Sequence, residues 1–340
     1  MPKNKAIYDK SGVSSSQLHH DPGHWDTIAH ELRYAFAAEK AIDAPLYLAD
    51  GSVTTFRKAH DKSRMDNKGV EGIAHPRVEV IDCGGGSAFM WESLNTERRG
   101  MYLGHYTNLE YDEKVCAEVS DRIKSQVDKG RAKIVPGSFC GANWRETADR
   151  LIAERGGRRY DALISLEALE HLPYLFNGET DEFKSLDEAL DFFRYMSDYC
   201  ILSTPNFSER YGKAEDHTRE WRFEELKSRL QARFAKVQAF PIRASKSQLK
   251  TEDVKAPSKA VMKGFLDQLA KKIPNIYDLY NPAEFSALAQ EHFNLPYINQ
   301  IFANYPSNPA MHLAAPFTTV TSPKVRNILW IVQNPPTVNS

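Results

Sequence analysis

One short segment carries residue types and spacings suited to chemistry at an oxygen atom. In Leu166-Glu167-Ala168-Leu169-Glu170-His171-Leu172-Pro173, two carboxylates and an imidazole stand at i, i+3 and i+4. Those positions share one face of a helical turn, so Glu167, Glu170 and His171 are expected to converge. The set is rich in oxygen and lacks sulfur, which suits Mg2+ or Mn2+ better than zinc. A further imidazole, His217, stands in Asp216-His217-Thr218-Arg219-Glu220-Trp221. A rival reading needs no metal: imidazole titrates near neutrality, so His171 or His217 would serve as a general base. A blander one has the acidic and histidine residues only shape a loop or contact an acceptor.

A second segment has the form of a cofactor loop. Val78 to Asp82 reads as a strand ending in an acid, followed by Cys83-Gly84-Gly85-Gly86-Ser87 and then Ala88-Phe89-Met90-Trp91. Glycines let backbone approach a ligand closely because no Cβ intervenes. A full dinucleotide fingerprint is missing, since Phe89 stands where a third spaced glycine is needed, and no Lys-Ser/Thr pair follows. The loop therefore suits a ribose and an amino-acid tail better than a pyrophosphate. A plain glycine turn before a helix is the competing explanation.

The elements that must position these segments alternate. Apolar runs at 78–82, 132–135, 160–165 and 199–203 read as strands, with helices expected near 112–128, 145–155 and 184–198. Such alternation implies a parallel sheet covered on both faces, where ligands bind at the carboxyl ends of strands. Further strands are expected at 236–242, 297–302 and 326–333. Upstream, Trp25, Ile28, Ala29, Leu32 and Phe36 give residues 24–41 one apolar helical face. Residues 51–76 read as a loop-rich, basic approach to the core. The expected organisation is an N-terminal extension over 1–76, a core over 77–243, a helical insertion over 244–296 and C-terminal strands over 297–340.

Taken in order, these segments resemble class I S-adenosylmethionine-dependent methyltransferases. Val80-Ile81-Asp82-Cys83-Gly84-Gly85-Gly86-Ser87-Ala88 resembles the family's first motif. Leu109-Glu110-Tyr111-Asp112 resembles the end of its second strand, Ile134 to Phe139 its third-strand segment and Tyr160 to Ser165 its fourth strand. The resemblance implies an α/β fold, a Rossmann-like seven-stranded, mostly parallel sheet with helices on both faces. It implies S-adenosylmethionine held by Asp82, Gly84, Gly85, Gly86, Ser87, Glu110, Ser138 and Leu166. Glu110 would meet the ribose and Ser138 the adenine, while Asp112 reads as the cap of the next helix. Fourth and fifth strands are neighbours in this family, so His217 would face the Glu/His turn. The Glu-x-x-Glu-His and later Asp-His-x-x-Glu-Trp segments resemble those of small-RNA 3′-end 2′-O-methyltransferases. That likeness implies that Glu167, Glu170, His171 and His217 hold a Mg2+ ion gripping the 2′ and 3′ hydroxyls of an RNA terminus. His171, His217 and Glu170 are the expected catalytic residues.

Composition narrows the partners. The 340 residues carry a formal net charge of −1, which gives no global signature of nucleic-acid binding. That balance favours the alternative of a small-molecule O-methyltransferase acting on a sugar, quinone or phenol. An inactive methyltransferase fold serving as a binding subunit is a third alternative, opposed by the complete glycine loop and Glu/His cluster. Arg243 to Lys272 holds a local excess of Lys and Arg, read as the solvated face of an amphipathic helix. His19, His20 and His24 lie in polar sequence and read as a mobile segment. Four scattered cysteines form no CxxC pair, arguing against a zinc–thiolate site and for reduced thiols. No apolar run reaches membrane-spanning length and no secretory signal is evident, so a cytoplasmic enzyme is expected.

Overall fold

The computed structural model describes residues 25–66, 75–96, 99–172, 181–207, 217–242 and 327–335. The expected insertion over 244–296, the strand at 297–302, the basic stretch after Arg243 and the N-terminal histidines lie outside them. The chain divides into two compact units, Phe36–Ala239 with Leu329–Ser340, and Met1–Ala35 with Phe240–Ile328. All the candidate site residues belong to the first.

Helix α1 (Trp25–Ile42) leads to a small hairpin of β1 (Pro45–Tyr47) and β2 (Val53–Thr55), paired antiparallel. Helix α2 (Phe56–Met65) follows, capped by the Thr55 side chain, which accepts from the Lys58 N–H. This helix and the β2 strand before it stand where the sequence pattern suggests a loop-rich approach over 51–76. The buried stripe is Phe56, Ala59, His60 and Ser63, which has helical spacing but only one large apolar side chain.

The main sheet has seven strands: β3 (Val78–Cys83), β4 (Leu103–Glu110), β5 (Ala132–Pro136), β6 (Ala162–Leu166), β7 (Tyr199–Pro205), β8 (Lys236–Ile242) and β9 (Asn327–Gln333). Their spatial order is β5-β4-β3-β6-β7-β9-β8. Pairs β3/β4, β4/β5, β3/β6 and β6/β7 are parallel. This is the expected Rossmann-like, mostly parallel sheet. From β3 the chain runs outward through β4 to β5, then returns to place β6 on the other side of β3. That reversal makes a crevice at the carboxyl ends of β3 and β6.

The intervening helices are α3 (Phe89–Leu94), α4 (Glu113–Arg122), α5 (Lys124–Asp128), α6 (Trp144–Glu154), α7 (Glu182–Met196) and α8 (Phe223–Gln231). All but the short α5, which buries no residue, bury one face of their surface. On α7 the buried residues include Leu186, Ala189, Leu190, Phe193 and Met196, at spacings of three and four. Burying a side chain of this size contributes about 1.5–3 kcal/mol. Asp181 starts α7 by accepting from the Phe183 and Lys184 N–H groups. Asp112 does the same for α4 through Lys114 and Val115, the capping role read for it in the sequence. No helix among the described residues is long and apolar enough to cross a membrane.

Candidate active site at the carboxyl edge of the sheet

The glycine turn leaves β3 at the crevice. Gly84 and Gly86 have positive φ, +69° and +47°. A Cβ on Gly84 would lie 2.8 Å from the Ala168 Cβ, so the turn after β3 and the turn after β6 are in contact only because residue 84 lacks a side chain. At Gly85 the obstruction would be the Asp82 carboxylate, 2.6 Å away, whereas a Cβ on Gly86 would meet nothing within 4 Å. The turn is thus packed on one side and open at Gly86, as a backbone cradle must be.

Two side chains, Glu110 and Asn108, bond to the turn, and Asp82 stands beside it. Glu110 Oε2 accepts from the Gly86 N–H at 2.9 Å and Oε1 from the Asp112 N–H at 3.0 Å. Asn108 Nδ2 reaches the Gly86 carbonyl at 3.4 Å. Buried Asp82 accepts from the Tyr106 hydroxyl at 2.7 Å. Burial pushes the Asp82 carboxyl up to about 7, against the Tyr106 hydrogen bond, with the nearby Glu110 charge adding to the rise. Tyr106 and Asn108 went unread in the sequence, because β4 does not alternate cleanly.

Of the other expected cofactor residues, Leu166 ends β6 and is buried. Ser138 closes a local turn, donating to the Cys140 carbonyl and accepting from the Cys140 N–H. Ser87 follows the open Gly86 at the start of the α3 connection. Phe139 is turned inward against Phe192 and Phe193.

Beyond β6 the expected helical turn does not form at Glu167. That residue takes a left-handed conformation, φ +53°, and a single 3-10 turn covers Leu169–His171. The Glu167 N–H still pairs with the Ser203 carbonyl of β7, and Glu167 Oε1 accepts from Ser203 Oγ at 2.7 Å. Its carboxylate therefore has a partner on β7.

Those two residues meet His217. Glu170, His171 and His217 each offer a ligand atom, and all three atoms lie within 4.8 Å of one another. The imidazole centroids are 5.1 Å apart with the rings nearly perpendicular. Glu170 is buried and both histidines are half-buried.

The approach of His217 is built by backbone bonds. The Thr218 and Arg219 N–H groups both donate to the Glu170 carbonyl, and Thr218 Oγ1 donates to the His171 carbonyl. Trp221, buried, donates its indole N–H to the Leu169 carbonyl, and its backbone bridges to Asn206 just past β7. Arg219 anchors the segment to both neighbouring helices through Glu182 and Glu225. His217 Nδ1 lies 2.8 Å from Glu220 Oε1. No helix covers 217–220, so the spacing of the two residues carried no signal for that pair.

A carboxylate and two imidazoles at this separation can hold a divalent ion, or place two bases beside one acceptor. The glycine cradle lies next to them, linked by the Gly84–Ala168 contact.

Comparison with known proteins adds little. No protein-family model matches the chain, and no curated protein does. Solved structures share its outline at low similarity. The (4+2)-cyclase SpnF is 13% identical over 76% of each chain, with a TM-score of 0.37. The O-MT segment of StiE, residues 961–1257, is 9% identical over 76% of this chain and 68% of that one, with a TM-score of 0.37. YcgJ from Bacillus subtilis is 11% identical over 77% of this chain and 95% of that one, with a TM-score of 0.35. Likenesses this faint carry no argument about chemistry, which must come from the site.

Proposed function

We propose that the protein is a class I S-adenosylmethionine-dependent methyltransferase that methylates a hydroxyl oxygen with the help of a divalent ion. The carrying observation is the gathering of Glu170, His171 and His217 within 4.8 Å at the strand edge that also bears the glycine cradle. Donor chemistry and the open face at Gly86 both fit the two groups.

S-adenosylmethionine supplies an electrophilic methyl and its own leaving group when bound. The chain's part is to hold it and to bring an acceptor oxygen into line. Gly84, Gly85, Gly86 and Ser87 offer backbone at the crevice, with Asp82 beneath them. Glu110 uses one lone pair of each oxygen on backbone, and each oxygen can accept a second bond from a ribose hydroxyl. Ser138 and Leu166 complete the assigned set.

Glu170, His171 and His217 would hold Mg2+ or Mn2+, whose Lewis acidity eases loss of a hydroxyl proton. Glu167 stands by at the same strand edge, engaged with Ser203. Two imidazoles beside one acceptor also provide a proton acceptor without metal.

A site that chelates would favour vicinal hydroxyls, and the ribose at an RNA 3′ end is the acceptor we favour. The net charge of −1 favours instead a small acceptor such as a sugar, quinone or phenol. The test is transfer of labelled methyl from S-adenosylmethionine to RNA with an intact 3′ diol, to RNA ending in a 2′-deoxynucleotide, and to small-molecule pools. Each arm is run with and without EDTA. Label on the diol RNA alone, lost with EDTA and restored by Mn2+, supports the reading. Label only in small-molecule pools rejects the RNA acceptor, and turnover indifferent to EDTA rejects the metal.

A further inference from the structure

We propose that Glu220 is a positioning residue for His217: its carboxylate fixes the ring tautomer that turns Nε2 towards a divalent cation. The inference rests on the metal-assisted reading above.

Glu220 Oε1 lies 2.8 Å from His217 Nδ1. A carboxylate at that distance faces a nitrogen that carries its proton, so the lone pair sits on Nε2. A neutral imidazole binds metal through such a lone pair, and a carboxylate on its other nitrogen raises its basicity and sets its orientation. This pair is not a loose surface ion pair. The side chains of His217 and Glu220 are only 16% and 10% exposed.

Its frame is rigid on both sides. Upstream, the Thr218 and Arg219 N–H groups grip the Glu170 carbonyl, so His217 is tied to the backbone of another candidate ligand. Downstream, Trp221 is buried and bonded to the Leu169 carbonyl. Glu220 lies between these anchors and needs no rearrangement to hold the ring. The segment is not helical, so the His217–Glu220 pairing follows from these long-range bonds rather than from local periodicity.

Two measurements test this without relying on turnover. Long-range proton–nitrogen NMR on the metal-free wild type reads the His217 tautomer directly. The expected result is Nδ1–H, and an Nε2–H ring overturns the proposal. Mn2+ binding, followed by electron paramagnetic resonance and calorimetry, is then compared for wild type and Glu220→Ala, with thermal unfolding as the control for folding. Affinity should fall about 10–100-fold in the variant, the range found when such carboxylate partners are removed. Wild-type affinity in a folded Glu220→Ala overturns the proposal and leaves the metal reading standing. No Mn2+ binding by the wild type rejects the metal reading and this inference with it. Should Glu220→Ala fail to fold, the tautomer of the wild type decides alone.

Discussion

Replacing Gly84 by alanine tests the contact on which the whole site depends. Two costs add. An L residue in the left-handed region loses about 1–2 kcal/mol, and Gly84 sits there at φ +69°. The new methyl would then stand 2.8 Å from the Ala168 Cβ and 3.4 Å from Phe139, which is overpacking. Overpacking costs about 1–3 kcal/mol, so Gly84→Ala should lose about 2–5 kcal/mol. Gly86→Ala is the internal control. Its φ is +47° but its Cβ meets nothing within 4 Å, so only the conformational cost remains. The difference between the two is the packing part. At about 2–4 °C per kcal/mol for a unit of this size, Gly84→Ala should melt on the order of 5 °C below Gly86→Ala. Adding Ala168→Gly removes the opposing methyl. The double variant should recover most of the packing part, read as a coupling energy in a double-mutant cycle. Calorimetric titration with S-adenosylhomocysteine should show a parallel loss and recovery of affinity. Equal melting of Gly84→Ala and Gly86→Ala, or no coupling with Ala168→Gly, would refute the argument that the two turns touch at residue 84.

Glu170→Gln and His217→Ala should each abolish Mn2+ binding in calorimetry, while Glu167→Gln, whose carboxylate is engaged with Ser203, should weaken it less; equal losses at all three would return Glu167 to the ligand set. Burial raises the Asp82 carboxyl to about 7, so the folded state keeps a proton that the unfolded chain releases near its ordinary value of 3.8. Stability should therefore fall as pH rises from about 4 to 7, and Asp82→Asn should gain on the wild type across that window in thermal scans; a constant difference would contradict the assignment. All four cysteines are buried and reduced, and burial pushes each thiol above its ordinary value. Ellman's reagent should consequently react slowly with native protein and with all four thiols in guanidinium.

What the sequence revealed follows physical lines. Strands β3, β6, β7 and β9 were readable because continuous apolar runs announce strands buried on both faces, whereas β5 and β8, at the two edges of the sheet, are only partly buried. Strand β4 was recognised only at its Leu109-Glu110 end, since His105, Thr107 and Asn108 break the run. Thr107 and Asn108 are nonetheless fully buried. Tyr160 donates to Thr107 from 53 positions away, and Asn108 reaches the Gly86 carbonyl. Partners so distant satisfy polar groups that local patterning treats as surface. Helix α2 was hidden by the same effect, with His60 and Ser63 in its buried stripe. At the site, residue types were legible and geometry was not. Glu167, Glu170 and His171 have helical spacing, yet Glu167 takes a left-handed conformation, bonds to Ser203 and stands outside the short 3-10 turn. His217 was placed by resemblance, and the bonds that bring it in run from Thr218 and Arg219 to a carbonyl 48 and 49 residues earlier.

Those bonds make the candidate site one mechanical piece. Gly84 touches Ala168, the Ala168 carbonyl accepts from the His171 N–H, and the Glu170 carbonyl receives the segment that carries His217. The first link is the close approach of Gly84 to the Ala168 methyl and the others are backbone hydrogen bonds, so each is insensitive to the rotamers of the reacting side chains. A displacement of the glycine turn must consequently move Glu170, His171 and His217 together rather than one at a time. For transfer between a cofactor and an acceptor this is the useful arrangement. Alignment of the two reactants depends on the distance between their cradles, and a misplacement of about 1 Å can cost on the order of a hundredfold in rate. Here that distance is set by the missing side chain at residue 84. On the proposed function Gly84 constrains the acceptor side as well as the cofactor side, and its substitution should damage Mn2+ affinity as well as cofactor affinity. A Gly84→Ala variant that lost S-adenosylhomocysteine binding but kept wild-type Mn2+ affinity would show that the two halves of the site move independently.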